Sequence, residues 1–268
     1  MIATAHLLAI LCYLGAAALA AAPFVRPVPA PVRAVVGALL LGVLAHLAGI
    51  AAVAADSGRM PLSGLGAALS FAALLLALTL LLVELVAREV TLTLVAAPLA
   101  AIVTSAAAFV GLHPLSQPSG MRGVWLEAHI ALSFAGMAAF ATAAAAGAMY
   151  LVERRELRSR RFGAIFRFFP PLETLDRVNH VAAVAGMLGL TLGVVLAATY
   201  SLEYRTLDLP KVMWALGAWL AASAVAIGRL AAGWRARRAA VVSTASFVLV
   251  IALYIAVRAS VHEGGRFL

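Results

Sequence analysis

Nearly uncharged, apolar stretches of about 20 residues succeed one another from the start of this chain almost to its end, each long enough to cross a hydrocarbon layer of roughly 30 Å as a helix. Inside a bilayer no water is available to a bare backbone. A run of this kind must therefore satisfy its own N–H and C=O groups, and a helix does so within a single segment. Eight runs can be marked: Ile2–Ala22, Val32–Ala55, Leu62–Ala87, Val90–Leu112, Val124–Val152, Val178–Tyr200, Pro210–Ile227 and Ala239–Val257. They predict an all-α, polytopic membrane protein of eight transmembrane helices. It reads as one transmembrane domain over 1–268, with four spans in 1–123 and four in 124–268. Composition agrees: 65% of residues are hydrophobic and 12% charged, where a soluble domain carries about 25% charged residues. The first run has no basic n-region, so it is read as a span and not as a signal peptide.

Charge sets the expected orientation. With the N-terminus outside, the inner loops hold Arg26, Arg33, Arg88, the cluster from Arg154 to Arg177, Arg229, Arg235, Arg237 and Arg238. The outer segments hold Arg59, Arg122, Arg205, Lys211, Arg258 and Arg266. That is 14 of the 20 basic residues against 6. The positive-inside rule then places both termini on the outer side. The net charge of +9 is explained by this topology, so nucleic acid is not an expected partner and membrane lipid is. The stretch from Glu153 to Arg167 reads as a cytoplasmic amphipathic linker, with Phe166, Phe168 and Phe169 in the headgroup layer, or simply as a solvated charge run. The prolines at 27–31 make a stiff turn before the second span. Abundant Ala, Gly and Ser allow close helix packing.

The single cysteine, Cys12, has no partner for a disulfide, and neither C-x-x-C nor C-x-x-C-H occurs. The chain therefore neither exchanges disulfides through its own thiols nor attaches haem to itself as a c-type cytochrome. No phosphate-binding G-x-x-x-x-G-K-[ST] and no G-x-S-x-G nucleophile motif is present, and a conventional enzyme is not indicated.

Polar residues inside apolar runs carry the remaining information. On this topology His6, His113, His129 and His262 fall near the outer face, His46 near mid-membrane and His180 at the inner end of the sixth run. Outer imidazoles could ligate a metal or haem iron, or serve as structural hydrogen-bonders. His129 stands out: Trp125 lies four residues before it and Ser133 four after, so the three share a helix face. Trp125 could flank a flat ligand and Ser133 hold the ring; equally, Trp125 could be an interfacial anchor. His46 is expected to be neutral and bonded to a neighbouring helix, with Glu84 near the inner surface. Before the seventh run, Asp208 can cap a helix whose first turn suits Pro210. Trp214 and Trp219, five positions apart, project from different faces.

Several of these residues fall into a pattern that resembles the CcsA/CcmC-type cytochrome c assembly proteins, a haem-handling membrane family, over roughly Trp125 to the C-terminus. Trp125-Leu-Glu-Ala-His129 resembles its W-L-x-x-H. Leu175-Asp176 followed by Gly186 to Gly193 resembles L-D…G-F-x-x-L-T-x-G. The stretch from Pro210-Lys211 through Trp214 to Trp219-Leu220 resembles P-K-E-x-W-A-L-x-x-W-L, and Gly233 to Ala239 resembles G-W-x-G-R-x-A. His262 with Gly264 and Gly265 sits where the family closes on L-H-S-Y-G. Two departures are plain. The family's W-G-x-x-W-x-W-D is replaced by Ser201 to Leu209, which has no tryptophan, and Ile227 stands where the family has a histidine in the seventh span. The pattern is similar to the shorter YpjD/HemX-like branch.

The resemblance implies that His129 and His262 are the axial ligands of a non-covalent, b-type haem at the outer face. Trp125 and Trp214 would lie against it, and Asp208 and Lys211 at its edge. It further implies apocytochrome c and a second membrane assembly subunit as partners, and the bacterial plasma (inner) membrane as location. The expected function is haem handling in cytochrome c assembly. The alternative is a membrane scaffold or regulator of tetrapyrrole metabolism that keeps the fold without the haem. A transporter fits least, since only His46 and Glu84 could form a midplane site and no pair of broken helices is evident.

Overall fold

The computed structural model describes residues 1–25, 31–87, 90, 92–114, 120–159, 170–206 and 208–260. Among these the only regular structure is helical. Eight helices run in order: α1 (Ile2–Val25), α2 (Val32–Ser57), α3 (Leu65–Ala87), α4 (Thr93–Val110), α5 (Met121–Ser159), α6 (Leu172–Tyr204), α7 (Leu209–Leu230) and α8 (Ala236–Ser260). Every one of them is long and apolar enough to cross a membrane. The eight apolar runs of the sequence therefore each become one helix, and the chain is a multi-pass, all-α membrane protein.

Two helices are much longer than their apolar runs. α5 continues from Val152 to Ser159, and α6 starts at Leu172, six residues before Val178. The added residues, Glu-Arg-Arg-Glu-Leu-Arg-Ser after Val152, are strong helix formers almost throughout. Charge ends the apolar run but not the helix. At 39 residues α5 is about 58 Å long, well beyond a hydrocarbon layer of roughly 30 Å. Residues 160–169, the rest of the arginine-rich linker with its phenylalanines, lie outside the described residues, as do 26–30 of the proline-rich turn.

The helices fall into two compact units, residues 1–117 and 118–268. In the first, α1 packs on α2 and α4, and α3 on α2 and α4. In the second, α5 packs on α6 and α8, and α7 on the same two helices. Each unit is thus a closed ring of four helices. The core of the first is largely small residues, including Ala9, Ala16, Ala20, Ala77, Ala97 and Ala100, around Tyr13 and Leu39. The second gathers Ala143, Ala183, Ala218 and Ala222 around Phe140 and Val225. Large aliphatics such as Leu7, Leu11, Leu40, Leu44, Leu188 and Leu192 point outward. Lipid is as apolar as leucine, so bulk gains nothing by burial, and close van der Waals contact between small residues holds the helices together.

Candidate functional site

The second unit is organised by how closely α5 and α6 approach. A Cβ placed on Gly136 of α5 would lie 2.5 Å from the Leu190 backbone nitrogen, and one on Gly189 of α6 would lie 2.7 Å from the Gly136 Cα. Only a residue without a side chain fits there. The contact continues to Gly193, whose added Cβ would overlap the Ser133 hydroxyl. At this point the α6 backbone meets His129: the Nδ1 nitrogen is 2.8 Å from the Gly193 carbonyl oxygen, and Ser133 Oγ lies 3.4 Å from the same nitrogen.

The chemistry of that bond fixes the imidazole. A carbonyl can only accept, so Nδ1 carries the proton and donates it. In the neutral ring Nε2 then keeps its lone pair, the arrangement typical of a metal-ligating histidine whose other nitrogen is held by an acceptor. His129 is half-buried.

One turn toward the start of α5, Trp125 meets the last turns of α6. Its ring is 6.3 Å from both Tyr200 and Tyr204, edge-on to each, and the two tyrosine rings are 4.7 Å apart. Arg122 completes the group: its Nε donates to the Tyr200 hydroxyl at 2.9 Å, and its guanidinium lies 4.6 Å from the Tyr204 ring centre. The indole Nε1 of Trp125 is buried without an acceptor. Arg205, just beyond, closes α6 in the left-handed conformation at φ 50°. Tyr200 and Tyr204 carried no weight in the sequence reading. Their signal was there, two tyrosines four apart at the end of a span, but which helix they face is not written in spacing.

The start of α7 contributes the other sequence candidates. Asp208 caps the helix, accepting from the Lys211 backbone N–H at 3.4 Å, with Pro210 in the first turn. The Lys211 ammonium sits 3.3 Å from the same carboxylate. Trp214 turns to α8, where its Nε1 donates to the Val250 carbonyl at 3.3 Å and its ring packs edge-on to Tyr254 at 5.6 Å. Trp219 turns instead to α6 and donates to Thr191 Oγ1 at 2.9 Å. The two indoles thus leave α7 from different faces, and Trp125 and Trp214 engage different neighbours. His262 lies outside the described residues.

At the opposite end of this unit Arg229 of α7 clasps α6. It donates through Nη1 to Asp176 Oδ1 at 2.6 Å and through Nε to His180 Nδ1 at 3.1 Å. The sequence reading placed Arg229 and His180 at this end but did not pair them. Deeper in the unit the buried Asn179 donates to the Ala143 carbonyl at 2.6 Å and to Ser243 Oγ at 2.8 Å, tying α6 to α5 and α8.

The first unit holds a separate buried network. His6 Nδ1 is 3.0 Å from the Ile2 carbonyl, and its Nε2 is 3.2 Å from Ser70 Oγ. The same oxygen is 3.0 Å from His46 Nε2, and His46 Nδ1 is 3.1 Å from the Tyr13 hydroxyl. The Ile2 carbonyl decides every direction in this chain. His6 Nδ1 must donate to it, so His6 Nε2 accepts the Ser70 proton. Ser70 has then spent its hydrogen and accepts from His46 Nε2, which leaves His46 Nδ1 to accept from Tyr13. All four groups are satisfied with both rings neutral. His46 is therefore bonded to two neighbouring helices, through Tyr13 of α1 and Ser70 of α3. Glu84, also buried, accepts from the Thr93 hydroxyl. No cluster of three or more His, Cys, Asp or Glu residues suited to a metal ion occurs among the described residues.

Known proteins place this architecture. Residues 34–262 match the model of the family described as Cytochrome C assembly protein. The match ends at His262, and it begins far upstream of Trp125, where the motif resemblance starts, so it takes in α2, α3 and α4 as well. Among curated proteins, the "Cytochrome c biogenesis protein CcsA" of Synechococcus sp. (strain CC9605) is 30% identical over 244 residues, covering 79% of this chain and 80% of the relative. The protein of the same name from Synechococcus sp. (strain CC9311) is 29% identical, over 79% of this chain and 81% of its own. That of Prochlorococcus marinus (strain NATL1A) is 27% identical, over 79% and 78%. No solved structure matches the chain. With 229 of its 268 residues inside the family model, this multi-pass membrane protein belongs to the cytochrome c assembly family.

Proposed function

We propose that the protein handles haem in cytochrome c assembly, holding a non-covalent, b-type haem at the end of the second unit where α5 begins. The observation that carries this is the state of His129, with Nδ1–H anchored on the Gly193 carbonyl and Nε2 left as a ligand atom. The second axial ligand is His262. Helix register supports the pairing. Gly147 faces Ser243, and Phe140 faces Phe247 at 5.6 Å. α8 therefore runs antiparallel to α5, and continuing the pairing brings it level with His129 at about residue 258, about four residues before His262 in the sequence.

Trp219 meets Thr191 and Arg229 meets His180, so Lys211 comes level with about residue 199 of α6. The residues that would hold the disc are then Trp125 and Trp214 beside it, Lys211 at its edge, and Asp208 capping the helix that presents Lys211. When bound, haem supplies a redox-active iron. The chain's own contribution is to orient one imidazole, offer aromatic surface and present cations at the rim. The distribution of arginines supports this end as the outer one, and the bacterial plasma membrane is the location this reading assigns. Apocytochrome c and a second membrane assembly subunit are the fitting partners.

A second reading, a scaffold or regulator of tetrapyrrole metabolism without haem, draws on one observation. The segment 201–209 has no tryptophan where the family's platform has several. One assay separates the two. Protein purified from haem-replete cells is expected to carry stoichiometric haem by pyridine haemochrome, and His129→Ala to carry much less. Haem-free wild-type protein, from cells whose cytochromes c are normal when the gene is deleted, would decide for the second reading.

A further inference from the structure

We propose that Arg122, the Tyr200 hydroxyl and the Trp125 indole N–H form an anion clamp for the paired carboxylates of a porphyrin whose iron sits level with His129. The inference rests on the haem reading and names the residues that would recognise the acidic edge of the ligand.

Three observations fall in one cluster, where the Trp125 ring is 6.3 Å from the Tyr200 ring that Arg122 engages. Arg122 has its Nε engaged by Tyr200, and no carboxylate pairs with its guanidinium among the described residues. Guanidinium offers five N–H donors in a planar fork suited to a carboxylate. Tyr200 accepts from Arg122, so its own hydroxyl proton remains to be donated to another group. Trp125 Nε1 is a buried donor with no acceptor, which in a native protein calls for an explanation. The cluster thus has more donors than the one accepting oxygen of Tyr200 can serve, and an anionic group would supply the acceptors.

Distance along the helices fits a porphyrin standing edge-on. Arg122 precedes His129 by seven residues on α5, and Tyr200 follows Gly193 by seven on α6. Each is about 10 Å beyond the imidazole along its axis, comparable to the span from a porphyrin's iron to its propionate oxygens. Trp125, about 6 Å along, and the edge-on tyrosines give the disc an aromatic wall between the two. Trp125, Tyr200 and Tyr204 supply here aromatic surface in place of the tryptophans that the segment 201–209 lacks. Arg122 held over Tyr204 by cation–π contact loses little freedom on binding.

The test is a spectral titration of the purified protein with haem and, separately, with haem dimethyl ester, whose carboxylates are neutralised. Wild-type protein is expected to bind haem about tenfold or more tighter than the ester. Arg122→Gln and Tyr200→Phe are expected to erase most of that preference, weakening haem and leaving the ester unchanged, with the absorption bands of the iron in place. An ester that binds wild type as tightly as haem overturns the clamp while leaving the haem reading intact. So do variants that weaken both porphyrins equally, since that marks a packing defect. Failure of wild type to bind either porphyrin overturns the haem reading and the clamp together.

Discussion

Gly193 is the residue on which the orientation of His129 turns. An alanine there would push its Cβ into the Ser133 hydroxyl, and the carbonyl that accepts from Nδ1 would move with it. Gly193→Ala is expected to destabilise the second unit by about 1–3 kcal/mol, read as a lower thermal midpoint in detergent; an unchanged midpoint would mean the contact is not tight. Ser70 plays a comparable part in the first unit. Its hydroxyl bridges His6 and His46 by hydrogen bonds, so Ser70→Ala strands a buried donor on His46 and a buried acceptor on His6. Each such loss costs about 1–3 kcal/mol, and Tyr13→Phe strands only one group. The serine variant should therefore melt below the tyrosine variant, and the reverse order would contradict the directed network. Spacing in the sequence made His129, Trp125 and Ser133 legible as one face of a helix. It could not reveal Gly193 as the acceptor, because the accepting atom is backbone and every residue has one. Tyr13 and Ser70 were missed for a related reason: a hydroxyl in an apolar run shows its partner only when a second helix is set beside it.

At the level of elements, the apolar runs were legible because lipid leaves the backbone one choice, and each run became one helix. The ends of α5 and α6 were not, since glutamate, arginine and leucine continue a helix past the point where hydrophobicity stops. Packing partners were also beyond reach of periodicity, because apolar residues cover the inner and the outer faces alike. The clasp between α6 and α7 shows what this hides. Arg229 bonds Asp176 and His180 with its side chain 10% exposed and that of Asp176 32% exposed, so it is sheltered from screening but not fully buried. Arg229→Gln or Asp176→Asn is expected to cost about 2 kcal/mol. The double variant should cost little more than either alone, because the two share one interaction. Additive losses in a double-mutant cycle would show that the residues act separately.

For the whole molecule, family membership fixes the theme, and topology decides where the chemistry takes place. Outward termini are proposed from the arginine distribution, and the proposal is testable without haem. Alkaline phosphatase fused after Leu268 should be active in cells, and the same enzyme fused after Ser159 should be inactive. The opposite result would turn the His129 end toward the cytoplasm. The central claim, that His129 and His262 meet on one iron, is tested most directly by electron paramagnetic resonance of the ferric, haem-loaded protein at low temperature. The expected wild-type spectrum is that of low-spin, six-coordinate iron with two imidazoles, and either His129→Ala or His262→Ala should convert it to a high-spin signal. A low-spin spectrum that persists unchanged in both variants would contradict the claim.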